Sequence, residues 1–341
     1  MTARLTRAIF GAAAIVLAVP APPLRAQAQT PKVEEWTVPW PASRPRDPYV
    51  APDGRIWFVG QSGNYLAVFD PRSKAFDRVE IDAGTYPHNQ IVDDRGRVWF
   101  AGNANGMIGR YDPATKRITR YPMPDSVVRD PHTLTFDGKG HIYFTAQRSG
   151  YVGRLDMSSG DIALIRVGPR TLPYGIVLDA LGRPFFCEFG TNKIAMIDPA
   201  SFTIKEFDLP EGARPRRIAM GGDGRTVWYV DYARGFLGRL DPTTGAVREF
   251  ASPGGTASRP YAMTSDDQGR LWYVETGSRP NRMVAFDPST ERFVVNRGVG
   301  VEGPNAIRHM VFDPKTRSIW YGADANMLGR VDVPRTIGSV P

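Results

Sequence analysis

A chain of 341 residues with 43 Lys and Arg against 35 Asp and Glu carries a formal charge of +8, and 42% of it is hydrophobic. That is enough apolar material for one large core. A single Cys excludes an internal disulfide, four His exclude a His-rich metal cage, and the absence of any Lys/Arg run argues against nucleic acid as a partner.

Residues 1–28 read as an export signal. Arg4 and Arg7 precede an apolar run from Ala8 to Val19, and Ala26-Gln27-Ala28 is a small-x-small cleavage site. The run is too short to span a bilayer, and no Cys stands at the cut to take a lipid. The mature chain, residues 29–341, is therefore expected to be a single periplasmic or secreted domain with no membrane span. Loss of Arg4, Arg7 and Arg25 with the signal leaves an excess of +5.

From residue 33 onward one phrase recurs seven times. Its fullest copy runs Pro87-His88, then Asp93, then Gly96-Arg97-Val98-Trp99-Phe100, then Ile108-Gly109-Arg110-Tyr111-Asp112-Pro113. The aromatic anchor returns as Trp57, Trp99, Tyr143, Phe185, Trp228, Trp272 and Trp320, every 42 to 48 residues. An Asp closes the third segment of each copy: Asp70, Asp112, Asp156, Asp198, Asp241, Asp287 and Asp332. Each unit holds four short runs of β-prone residues separated by Asp/Gly and Asp-Pro turns, as in Asp94-Arg95-Gly96 and Asp112-Pro113. No mature stretch of 12 residues carries a helical stripe. A repeat of this length and content predicts an all-β, seven-bladed β-propeller with four-stranded blades. The seventh copy lacks its fourth run, whereas Val33-Glu34-Glu35-Trp36-Thr37-Val38 reads like Val247-Arg248-Glu249-Phe250-Ala251-Ser252. Residues 33–38 are expected to supply the outer strand of the last blade and so close the ring.

Superposing the copies places polar residues at two repeat positions beside the central channel. The first follows the Pro of each copy: Arg46, His88, His132, Tyr174, Arg216, Tyr261 and, in the seventh, Arg308. The second lies three residues past the anchor and is small in four blades but acidic in three, as Glu188, Asp231 and Glu275. Together they are expected to form one mouth, with His and Arg on one arc and carboxylates on the other, binding a small molecule. Arg216 with Asp231, and Arg308 with Glu275, are close enough in the repeat to pair simply as buried charge. Glu188 and Asp231, in adjacent blades, offer oxygen ligands for a divalent ion.

The Pro-His/Tyr, Asp-x-x-Gly-Arg-x-Trp-Phe, Ile-Gly-Arg and Asp-Pro pattern resembles the streptogramin B lyase (virginiamycin B lyase) family of seven-bladed propellers over nearly all of residues 33–332. The resemblance implies a Mg²⁺-dependent elimination that opens an ester of a cyclic depsipeptide without water. It implies His88 and His132 as the catalytic pair, His132 as base oriented by Asp130 or a blade-4 carboxylate, and His88 as acid. Where the family has Trp-Phe-Thr-Glu, this chain reads Tyr143-Phe144-Thr145-Ala146, so a metal site of that kind would draw on Asp130, Glu188 and Asp231. Two other readings stand beside it. One is a non-catalytic propeller whose Arg46, Tyr174, Arg216, Tyr261 and Arg308 take an anionic ligand or a partner chain. The other is a metal-dependent lactone hydrolase of the gluconolactonase type. A monomer is expected in each case.

Overall fold

The computed structural model describes residues 31–301 and 305–337; the expected signal, residues 1–28, lies outside them. The described chain forms seven antiparallel four-stranded sheets, a seven-bladed β-propeller. Blades 1 to 6 occupy residues 45–80, 87–122, 131–166, 173–208, 215–251 and 260–299. The seventh sheet combines residues 307–332 with Val33–Thr37, which pairs antiparallel with Met327–Asp332, Trp36 lying opposite Leu328. Among the described residues no helix is long and apolar enough to cross a membrane.

The repeated residues explain why each blade forms. The Asp of the first turn takes the backbone N–H groups that a tight hairpin leaves unpaired: Asp93 Oδ1 accepts from Arg95 and Arg97. Its second oxygen accepts from the anchor indole, at 2.9 Å from Trp99 Nε1, and Asp266 does the same for Trp272. The Asp closing the third strand caps the next turn, as Asp112 does for the Ala114 amide at 2.9 Å. In the Gly-Arg pairs an aromatic ring on the facing strand fills the space that a side chain at the glycine would take. Phe100 lies opposite Gly109, Phe144 opposite Gly153, Tyr229 opposite Gly238 and Tyr321 opposite Gly329, and a Cβ at any of these glycines would overlap the ring. In blades 2, 5 and 7 the arginine that follows lays its guanidinium over the anchor, 5.3 Å from the Trp99 ring for Arg110.

Burial falls from the axis outward. In blade 2 the innermost strand, Pro87–Val92, and the anchor strand, Val98–Gly102, are buried throughout, whereas the outer strand, Arg117–Pro122, alternates exposed and half-buried residues. Apolar side chains from adjacent blades interleave, as Trp57 and Val59 of blade 1 do with Val98 and Phe100 of blade 2. Every innermost strand also carries a register shift near its start, between Pro87 and Gln90 in blade 2 and between Pro131 and Leu134 in blade 3, for example. A bulge re-aims the residues it contains. Here it governs what the channel is made of.

Candidate functional site

Because of the bulge, two consecutive residues of an innermost strand make contacts across the channel. The first set is the expected ring: Arg46, His88, His132, Tyr174, Arg216, Tyr261 and Arg308. The second is Asp47, Asn89, Thr133, Arg217 and His309, in blades 1, 2, 3, 5 and 7. Arg217 Nη2 reaches Asp47 Oδ2 at 3.3 Å and Arg217 Nε donates to the Arg308 carbonyl at 3.1 Å, linking blades 5, 1 and 7. Asn89 Nδ2 donates to the same Asp47 oxygen at 2.9 Å. Strict strand alternation would turn this second position away from the channel, so the pattern hides it. Polar residues at two successive positions of an otherwise apolar strand are the signal that would have revealed it.

His88 and His132 come together as the repeat predicts, their rings 3.5 Å apart between centroids and inclined by 34°. The Tyr174 ring packs on His132 at 4.3 Å. Both imidazoles are buried; His132 is 1% exposed. Burial pushes both well below the usual imidazole pKa, and the charges of Arg46 and Arg217 add to it. They are therefore uncharged at neutral pH. His88 Nδ1 donates to the His132 carbonyl at 3.2 Å, which leaves a lone pair rather than a proton on its Nε2. His132 Nδ1 pairs with Thr133 Oγ1 at 2.9 Å, and His132 Nε2 has no hydrogen-bond partner.

Guanidinium groups surround this pair. Arg46, 4% exposed, gives Nη1 to Gln61 Oε1 at 2.9 Å, while its Nε and Nη2 have no hydrogen-bond partner; Asp47 Oδ1 lies 3.6 Å from Nε. Arg216 forms no ion pair among the described residues. Its guanidinium carbon sits 3.8 Å from the Tyr261 centroid and 4.4 Å from that of Tyr232, and its Nε is unpartnered. Arg308 is anchored on Asp324, at 2.6 Å from Oδ2, and Arg44 joins the same carboxylate at 3.3 Å. Across the channel Tyr174 and Tyr261 share a hydroxyl–hydroxyl bond. Burial opposes ionisation of Tyr174, but Arg216, Arg46 and Arg217 together outweigh it and lower its pKa. Burial likewise disfavours a charged Asp47, yet His309, Arg217 and Arg46 hold that carboxyl well below its ordinary range.

The carboxylates expected as a facing arc are committed elsewhere. Asp130 accepts from the backbone amides of Arg148 and Ser149 and from the Ser149 hydroxyl, and does not orient His132; Thr133 does. Asp231 accepts from the amides of Arg214 and Ala233, each at 3.0 Å, and from Arg234 Nε at 2.6 Å, so its ion partner is Arg234 rather than Arg216. Glu275 accepts from the Gly254 amide at 2.8 Å and does not meet Arg308. Glu188 Oε2 accepts from Thr191 within its own hairpin at 3.0 Å. These residues hold loops in place.

A divalent ion fits this donor set poorly. Mg²⁺ needs oxygen ligands from one or two available carboxylates. Asp130 and Asp231 give their oxygens to backbone amides, and Asp47, the channel's carboxylate, is bound by Asn89 and Arg217 amid further guanidinium charge. Glu188 and Glu275 each keep one buried oxygen without a partner, but they stand in blades 4 and 6, which are not neighbours. No three His, Cys, Asp or Glu gather around a common point among the described residues.

Comparison with known proteins agrees with this architecture. A structure described as streptogramin B lyase superposes with a TM-score of 0.80 at 25% identity, covering 89% of this chain and 98% of that one. Virginiamycin B lyase from Staphylococcus aureus gives a TM-score of 0.80 at 23% identity, covering 89% of this chain and all of that chain. A catalytically inactive variant of the same Staphylococcus aureus protein, solved with quinupristin, superposes equally well, with a TM-score of 0.80 at 23% identity and the same 89% and 100% coverage. No curated protein sequence matches. The model of the virginiamycin B lyase family matches residues 31–331, and the chain belongs to that family.

Proposed function

We propose that this protein is a carbon–oxygen lyase that opens an ester by elimination at the mouth of its channel, with His132 as the base. One observation supports this above the rest. Two uncharged imidazoles lie 3.5 Å apart between centroids inside a wall of tyrosines and guanidinium groups, and Nε2 of one has no partner. The surrounding positive charge favours the tautomer in which His132 donates Nδ1–H to Thr133 and keeps a lone pair on its unpartnered Nε2.

In this reading Nε2 of His132 takes the proton α to a carbonyl. The C–H electron pair becomes the new double bond, and the β-carbon–oxygen bond breaks toward oxygen. The leaving group is a carboxylate and departs without a proton, so His88 need not act as the acid. His88 holds the base instead, through its bond to the His132 backbone and the contact of its tilted ring. No step is assigned to a divalent ion.

The test is linearisation of quinupristin followed by mass spectrometry. Elimination leaves the mass of the ring-opened product unchanged, whereas a lactone-hydrolase reaction adds one water. His132→Ala should lower turnover by about 10²-fold or more with an unchanged melting temperature. His88→Ala should also lower it, and the double variant should lose less than the two losses combined, because both serve one transition state. Full activity in His132→Ala would remove this reading. No ring-opened product from the wild type would instead favour the second one, a propeller that binds an anionic ligand without chemistry, which the guanidinium cluster also supports. Export to the periplasm belongs to the same proposal, and protein recovered there should begin just after Ala28.

A further inference from the structure

The mouth holds more positive charge than its own residues balance. Arg44, Arg46, Arg216, Arg217 and Arg308 face Asp47 and Asp324, five guanidinium groups against two carboxylates. The histidines add no charge. Burying a cation without a partner is costly, and leaving its N–H groups unbonded adds to that cost. Arg46 and Arg216 nonetheless keep three such groups free: Arg46 Nε and Nη2, and Arg216 Nε. The two flank one object. Both interact with Tyr174 and Tyr261, and both act electrostatically on His132. Arg216 and Arg308 are half-buried, whereas Arg46, His88, His132, Tyr174 and Tyr261 are buried, so a ligand entering the mouth meets the two outer guanidiniums first.

We infer that the site takes an anionic substrate, one with a carboxylate on the carbon that loses its proton, and that Arg46 and Arg216 hold this carboxylate without a divalent ion. The inference rests on the lyase reading for its chemistry and on the unpartnered guanidinium groups for its ligand. Removing a proton beside a carboxylate builds a second negative charge on its oxygens. A planar guanidinium with two N–H groups toward those oxygens is suited to hold it. The proton moves to His132 Nε2, the C–H pair forms the double bond, and the leaving acyloxy group takes the pair of the broken C–O bond. The same anion makes the base competent. With no ligand, the arginines weaken His132 as a proton acceptor. A carboxylate set between them offsets that charge and strengthens it. A neutral ester would not, so the cluster also selects.

Two matched pairs test this on the full chain. The reactive pair is 3-acetoxybutanoate and its methyl ester, with enoate formation followed in Mg²⁺ and in EDTA. The unreactive pair is 3-methoxybutanoate and its methyl ester, with binding followed by calorimetry. The acid of each pair should be turned over or bound about tenfold or more better than the ester, a charge-assisted hydrogen bond's worth of discrimination, and EDTA should change nothing. Arg216→Gln, at a half-buried residue without an ion pair, should abolish the preference. Arg46→Lys, which keeps the charge but not the fork, should weaken it. Equal handling of acid and ester, loss of activity in EDTA, or no binding of 3-methoxybutanoate would each overturn the inference. Binding that depends on Arg216 without any elimination would uphold the anion site and remove the lyase reading alone.

Discussion

Glu188 shows what burial does to one carboxyl at the top of a blade. It is 1% exposed, its Oε1 has no partner, and Thr191 supplies the one hydroxyl bond to Oε2. Burial, with Glu206 nearby, pushes its pKa up to about 7 from an ordinary 4.5. Between those values the folded protein holds a proton that the unfolded chain has released. Stability from this group is therefore present at low pH and declines as pH rises through that window. The channel histidines act in the opposite sense. His309, for which burial drives the pKa down to about 4, is charged in the unfolded chain but not in the folded one as pH falls below 6.5. A melting curve of the wild type mixes the two effects, so the informative quantity is a difference. Glu188→Gln keeps an acceptor for Thr191 and cannot ionise. Its melting temperature minus that of the wild type should rise steadily from about pH 5 to about pH 8. A flat difference would mean that Glu188 is ionised and solvated in the folded state. This carboxyl was singled out in the sequence by its repeat position, as were His88 and His132. Position alone could not say that Glu188 turns into its own hairpin while the histidines meet in the channel.

At the scale of the strand, two devices repeat around the ring, and only one was plain in the sequence. The Ile-Gly-Arg phrase is conspicuous, and the structure gives its cause: Gly109 faces the fully buried ring of Phe100. Blades 1, 4 and 6 differ: Ala67 faces Phe58, Ala195 faces Phe186 and Val284 faces Tyr273. In those blades the ring is placed to admit a Cβ, whereas in blade 2 it occupies that space. Gly109→Ala should therefore overpack blade 2 and lower its stability by about 1–3 kcal/mol in urea unfolding. Adding Phe100→Leu should recover part of that loss, because the smaller side chain leaves room for the new methyl. An unchanged unfolding midpoint for the single variant would mean the ring moves aside freely. The second device, the bulge at the start of each innermost strand, shows in the sequence only indirectly, as paired polar residues such as His88-Asn89 and Arg216-Arg217. Its effect is that Asp47, Asn89, Thr133, Arg217 and His309 join the site. The strand order and the first ring followed from periodicity; the second ring depended on a local break in that periodicity. The expected acidic arc misled for a related reason. Residues that share a repeat position share a backbone location, but Asp231 and Glu275 are drawn to the nearest unpaired amides, those of Ala233 and Gly254.

For the whole molecule the question is how a ring of near-independent blades is held shut. Each blade is built from consecutive strands except the seventh, where the outermost strand comes from the other end of the described chain. Val33–Thr37 supplies backbone pairs to Met327–Asp332, and its side chains join blade 7 to blade 1. Trp36 stacks on Trp320 of blade 7 at 5.7 Å and meets Phe69 of blade 1 at 4.9 Å. Asn326 Nδ2 donates to the carbonyls of Val38 and Trp40, at 2.8 and 3.0 Å, while Trp40 packs edge-on against Tyr65 at 5.2 Å. A chain that begins at Pro41 would lose all of these at once. It would expose the Met327–Asp332 edge and uncover the rings between the first and last blades. Blade 1 supplies Arg46 and Asp47 and blade 7 supplies Arg308 and His309, so loosening this junction should also disturb the channel. The truncated chain should melt at a lower temperature, and Trp36→Ala, at a half-buried ring, should show a smaller loss of the same kind, below the about 3–5 kcal/mol of a fully buried aromatic truncation. Anion binding should weaken in the truncated chain well below its melting temperature, because the guanidinium groups span the joint. Wild-type melting and wild-type binding in that chain would show that the ring closes without its N-terminal strand. Normal melting with weakened binding would place the strand's effect on the channel alone.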